Sequence, residues 1–156
     1  MIFRILALAT AVFLSTRAAG QDGFTQLFDG KTLNGWDGDP VYRSVKGGAI
    51  VGEVTPETLL EKNSFLIWQG GTVGDFELVV EYRVSEKGNS GINYRSVVKG
   101  SAMKHFVNGA LMSEVEDLDP EKRVLDGRLG VQVHVGPPMV IEYRKIELKR
   151  LDGNIP

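Results

Sequence analysis

Along most of the chain, apolar and polar residues alternate with a period of two, and clusters of Gly, Asn, Asp and Ser break the runs. Residues two apart share one face of a strand, so the pattern predicts β-strands. Within Phe76–Val84, one face carries Phe76, Leu78, Val80, Tyr82 and Val84, and the other carries Glu77, Glu81 and Arg83. Within Arg128–Val135, Leu129, Val131, Val133 and Val135 point one way while Gln132 and His134 point the other. Val140–Leu148 reads as a last strand. Its apolar phase changes between Tyr143 and Ile146, which predicts a bulge near Lys145. Asn108-Gly109 between two apolar arms predicts a hairpin with a type I′ turn, whose two central residues need positive φ. Two short helical turns are expected: Pro56–Lys62, capped by Thr55 with Pro56 at the first helical position, and Asp119–Arg123. Many short strands without a long helix imply an all-β antiparallel sandwich.

Composition narrows the class. The first 20 residues read as a secretory leader: Arg4, then an uncharged apolar run from Ile5 to Leu14, then the small residues Ala18, Ala19 and Gly20. The expected cut lies near Gly20–Gln21, or after Ala18 or Ala19, leaving one domain from about residue 22. Such a chain is exported, to a periplasmic or extracellular space. The apolar run is shorter than the roughly 20 residues that span a bilayer, and no second run follows. There is no cysteine, which excludes disulfides, thiolate zinc sites, cysteine nucleophiles and a lipid-bearing cysteine. The chain holds 18 Lys+Arg against 20 Asp+Glu; two of the basic residues, Arg4 and Arg17, fall in the leader with no acid, so the remainder stands at −4. That balance, without a basic cluster, argues against a nucleic-acid partner. No Gly-x-Ser-x-Gly elbow, phosphate loop or His-Glu-x-x-His helix occurs.

Several blocks, in order, carry a family resemblance. They are Gly23-Phe-Thr-Gln-Leu-Phe-Asp-Gly-Lys-Thr-Leu-Asn-Gly-Trp36, Ser44–Glu53, Asn63–Trp68 and Gly74–Leu78 running into Glu81-Tyr-Arg83. Gly88-Asn-Ser-Gly-Ile-Asn-Tyr-Arg95, Val131-Gln-Val-His-Val-Gly-Pro-Pro-Met139 and Tyr143–Leu148 complete the set. Together they resemble the 3-keto-disaccharide hydrolase family, the domain also called DUF1080. The resemblance implies a concanavalin-like, laminin-G-like jelly roll with a sugar site on a concave sheet, acting on glycosides whose ring carbon 3 is a ketone. In that family a long middle stretch separates the Asn-Ser-Gly block from the Val-Asn-Gly hairpin; here Ser96 runs directly into Val97. The sandwich is therefore expected to be shortened, with opened sheet edges, altered strand pairing, lower stability or oligomer formation through those edges.

The implied chemistry is elimination followed by hydration. A base removes the proton on carbon 2, the enolate expels the glycosidic oxygen from carbon 1, and water adds to the enone. His134 is the first choice for a base or metal ligand, because an ordinary imidazole titrates near ~6.5. Glu53 and Glu81 are candidates for acid/base work or for holding a divalent metal. For Glu81 the plainer reading is a salt bridge to Arg83 or Arg95. Arg95 suits an enolate or sugar hydroxyls through its fork of donors. Asn93 and Gln132 offer donors and acceptors to hydroxyls. Trp68 is a candidate stacking platform, although a Trp after Phe65-Leu-Ile67 is a core residue in the plainer reading. His105, beside the Asn-Gly turn, reads as a surface residue. Strand parity would gather these polar sides on one surface. Three functional readings follow: a hydrolase or lyase of 3-keto-glycosides, a carbohydrate-binding module without catalysis, or an incomplete and inactive product.

Overall fold

The computed structural model describes residues 23–84 and 92–151. The expected leader therefore lies outside the described residues, as does the Asn89-Ser-Gly91 segment of the family block. Eleven strands are present among the described residues: β1 (Thr25–Gln26), β2 (Trp36–Gly38), β3 (Arg43–Lys46), β4 (Ala49–Val54), β5 (Ser64–Val73), β6 (Phe76–Val84), β7 (Ile92–Lys99), β8 (Ala102–Val107), β9 (Ala110–Glu116), β10 (Gly127–Val133) and β11 (Met139–Arg150). All pairings between them are antiparallel. They form a large sheet in the order β3-β4-β11-β6-β7-β8-β9, with β1 also beside β11, and a small sheet in the order β10-β5-β2. None of the described helical structure is α-helix; one short 3₁₀ turn, Pro40–Tyr42, is capped by Asp39, whose carboxylate accepts from Val41 N–H at 2.9 Å. No helix among the described residues is long and apolar enough to cross a membrane.

The expected sandwich is thus present, and its core lies where the two sheets face each other. Ile50, Val54, Val80, Ile141, Ile146 and Leu148 of the large sheet bury against Leu66 and Val133 of the small one. Each sits at the parity its strand pattern gives it. Arg43 also points inward from β3 and is only 7% exposed. Its guanidinium donates to the carbonyls of Ser64 (2.9 Å) and Val131 (3.4 Å), and so ties β3 of the large sheet to both β5 and β10 of the small sheet. Gly52 leaves room for it: a Cβ there would sit 2.6 Å from both Arg43 Nη1 and Val133 Cγ1.

Local expectations fare unevenly. Asn108 and Gly109 have φ of 50° and 83° and close the β8–β9 hairpin as the turn chemistry requires. The β11 register shifts between Tyr143 and Lys145, the expected bulge. Asp119–Arg123 makes one turn, with Arg123 N–H donating to Asp119 O at 3.0 Å. Pro56–Lys62 does not become helical. Thr55 caps a single turn through Thr58 N–H to its carbonyl (3.1 Å), and the Thr55 and Thr58 hydroxyls bond each other at 3.1 Å. These local side-chain bonds give the backbone an alternative to helix.

The junction at Ser96–Val97 lies inside β7, which runs without interruption and pairs directly with β8. The small sheet has three strands, too few to cover the large one. Beyond β6 the inner face of β7 and β8 is therefore less covered: Ser96 is buried, but Tyr94, Val98, Met103, His105 and Val107 are only partly so.

A charged hollow on the outer face of the large sheet

The outer face is the side of the large sheet turned away from the small one. Glu81 and Arg83 of β6 reach it because Val80 and Tyr82 point inward. Glu142 of β11 stands opposite Arg83, and the bulge after Tyr143 turns Arg144 outward beside Lys145, which stands opposite Glu81. A bulge that re-aims one side chain is a common device next to a site. Glu81, Arg83, Glu142 and Arg144, with Tyr82, Gly47 and Ala49, line a hollow of about 420 Å³. That volume falls in the roughly 300–1,000 Å³ range of small-molecule sites.

The four charges form two neighbouring cross-strand pairs of alternating sign. Arg144 is paired with Glu81, and Arg83 with Glu142 in a two-pronged arrangement. The carboxylate side chains are 28% and 23% exposed and the guanidinium side chains 69% and 59%, so the acids lie deeper and the arginines arch over them. The Arg83 hydrogen bond holds the Glu142 carboxyl below its ordinary value, and the same bond holds the Arg83 guanidinium above its own. Arg95 stands farther along the same face. Its Nε donates to Glu77 at 2.5 Å and its guanidinium lies 4.9 Å over the Phe106 ring. Glu53 is near the opposite end of the face, paired with Lys46 at 3.2 Å. Asn93 stands opposite Glu81 in the β6–β7 register.

His134 and Gln132 do not join this group. Gln132 lies in β10 of the small sheet and His134 directly follows that strand; the register sets Gln132 opposite Phe65, itself 49% exposed. A sandwich has two outer surfaces. The polar side of β10 lies on one, and the polar sides of β4, β6 and β7 lie on the other. The expected convergence of His134 with Glu53, Glu81 and Arg95 is therefore corrected. His134 Nδ1 lies 2.5 Å from Val135 O instead. Gln132 and His134 also border a second cavity, of about 600 Å³, that opens between the sheets and is walled by Trp36, Leu78, Tyr82, Tyr94, Leu129 and Tyr143 among others.

Trp68 is a packing residue. It is half-buried against the core, opposite Trp36, with its ring over Gly70, where a Cβ would lie 1.9 Å from Trp68 Cζ2. The divalent-metal expectation finds no fitting donor set, since Glu53 and Glu81 are engaged by Lys46 and Arg144. Among the described residues no three His, Asp or Glu side chains gather in a metal-binding arrangement.

Three features escaped the sequence reading. Glu142 and Arg144 were legible by the same parity that nominated Glu81. Arg43 carried no signal, because a charged residue at a strand start reads as exposed. His105 is not a free surface residue: its Nδ1 lies 2.6 Å from Tyr94 Oη and the two rings stack at 5.9 Å.

Comparison with known proteins agrees with this architecture. Two solved chains from Parabacteroides distasonis, assigned as a glycosyl hydrolase, match with TM-scores of 0.63 at 13% identity. The matches cover 83% and 82% of this chain and 95% and 99% of those chains. The carbohydrate-binding module CBM66 of Bacillus subtilis matches with a TM-score of 0.54 at 10% identity, over 81% of this chain and 95% of that one. At such identities the likeness concerns the fold alone. No curated protein sequence matches. The family model for the 3-keto-alpha-glucoside-1,2-lyase-like domain matches residues 23–101, which hold β1 to β7 and with them Glu53, Glu81, Arg83 and Arg95, and the chain belongs to that carbohydrate-directed family.

Proposed function

We propose that the domain binds a carbohydrate in the charged hollow of the large sheet, and that the ligand is a glycoside carrying a ketone at ring carbon 3. The observation that carries this reading is the pair of neighbouring cross-strand ion pairs, Glu81–Arg144 and Glu142–Arg83, around a sugar-sized space. Guanidinium forks donate to hydroxyl and ketone oxygens, and the carboxylates between them accept from hydroxyls. The mildly acidic balance of the chain leaves a neutral ligand unopposed. The family match supports the 3-keto class. Export belongs to the same proposal and rests on the leader pattern of residues 1–20.

Titration calorimetry with a 3-keto-disaccharide and with its unoxidised parent tests the proposal. Arg144→Ala is expected to weaken binding of the keto sugar by about tenfold or more, the worth of one charge-assisted hydrogen bond. His134→Ala and Glu53→Gln should leave it unchanged. Binding that survives Arg144→Ala and Arg83→Ala, or that is lost with His134→Ala, removes the hollow from consideration.

A catalytic reading of the same hollow is favoured by the family match alone. In it, Glu81 takes the carbon 2 proton once Arg144 swings from the carboxylate to the ketone oxygen. The enolate electrons then re-form the ketone while the bond from carbon 1 to the glycosidic oxygen breaks, and the leaving oxygen takes a proton from water. Addition of water across the enone completes a net hydrolysis. Glu81→Gln should then abolish release of the sugar while preserving binding. Binding without any release in the parent protein leaves the module reading standing.

A further inference from the structure

We propose that β9 is a self-pairing edge through which two copies of the chain join their large sheets about a two-fold axis passing near Ser113. β9 closes the large sheet at its open end, and all seven of its residues are exposed. One side of an edge strand pairs with its neighbour and the other presents backbone donors and acceptors that suit only another strand. Natural edges are blunted with charge, shortness or irregularity. β3 is four residues long and ends at Lys46; β2 has three; β10 is broken by a register shift between Arg128 and Gly130. β9 keeps little of this protection. Its Glu114 is drawn onto Lys104 of β8 at 2.8 Å and its Glu116 accepts from the Ser101 hydroxyl in the β7–β8 turn at 2.9 Å, both within the same chain. Leu111, Met112 and Val115 remain 50%, 65% and 44% exposed. The register shift near Met112 adds a residue without ending the strand.

The sequence of the strand selects its own partner. A two-fold centred on Ser113 is the antiparallel register that pairs all seven residues, Ala110 to Glu116. It sets Leu111 against Val115, Met112 against Glu114 and Ala110 against Glu116, so no acid faces an acid. Centring on Glu114 sets that residue against its own copy, and centring on Val115 sets Glu114 against Glu116. Like charges directly opposite each other oppose pairing.

Sedimentation velocity over a wide concentration range, on the full chain, tests both the pairing and its register. The parent protein is expected to form a dimer. Met112→Glu puts two glutamates face to face twice per dimer and should weaken association about tenfold or more. Met112→Lys puts a lysine against Glu114 at the same positions and should keep or tighten it. Met112 is largely exposed, so both variants should melt with the parent at low concentration. A parent chain that stays monomeric throughout overturns the proposal. So do a dimer that the two charges weaken equally and a dimer that neither affects.

Discussion

The two halves of the large sheet are made from similar strands and end in different surroundings. In the half formed by β4, β11 and β6, Ile50, Val54, Ile146 and Leu148 are between 0% and 3% exposed, because Leu66 and Val133 of the small sheet lie over them. In the half formed by β7, β8 and β9, Met103, His105 and Val107 alternate inward just as regularly, yet they are only partly buried and Val115 is 44% exposed. Alternation commits a segment to a sheet. A second layer decides whether its apolar face becomes a core. The three strands of the small sheet reach as far as β6, and the cavity of about 600 Å³ between the layers marks where their cover stops.

The contrast makes a direct mutational forecast. Ile50→Ala empties space beneath the small sheet and should cost about 2–5 kcal/mol, while Met103→Ala should cost less, under about 2 kcal/mol, because less packing is lost around a partly buried side chain that no second layer covers. Urea denaturation of both variants measures the difference. Equal losses would mean that the open half is covered in solution. A smaller effect is expected at the seam. Arg43→Leu leaves the Ser64 carbonyl without its donor and unties β3 from β5 and β10, at a cost of about 1–3 kcal/mol. Part of that is returned because the Arg43 Nε has no hydrogen-bond partner in its buried position, and burial pushes the guanidinium below its ordinary value. A neutral result in urea would make the small sheet independent of this tie.

These two halves also separate what the sequence made legible from what it did not. Parity gave the inward residues of β6, β10 and β11, and the Asn108-Gly109 turn and the bulge near Lys145 were read from local chemistry. Each of these depends on neighbours in sequence. Layer membership does not. Gln132 and Glu81 were both correctly placed on the polar side of their strands, but nothing in either strand said that the two lie in different sheets. The candidate site therefore failed at the step where His134 was joined to Glu53, Glu81 and Arg95. Glu142 and Arg144 have an equally clear parity, but their pairing with Arg83 and Glu81 depends on the β6–β11 register, which neither strand records alone. The Tyr94–His105 contact depends on the β7–β8 register, set only once the strand through Ser96–Val97 pairs with the hairpin arm.

The smallest expected effect concerns Tyr143, which lies inside the covered half at 9% exposure with its hydroxyl donating to Gln132 O at 3.3 Å. Burial pushes its phenol up from 10.0 to about 12, against the opposing pull of the Arg43 cation. A folded value above the unfolded one means that the unfolded chain loses the proton first. The stability tied to this group is complete below pH 10.0 and is lost as pH rises toward about 12. One pH unit into that window is worth about 1.4 kcal/mol at most for a single group. Urea midpoints at about pH 9 and about pH 11 should therefore fall further apart for the parent protein than for Tyr143→Phe, which has no phenol to ionise. Comparing the two chains cancels the other groups that titrate in the same range. If both fall equally, water reaches Tyr143 through the opening between the layers, and the boundary between the covered and open halves runs closer to β11 than the packing of Ile141 and Ile146 implies.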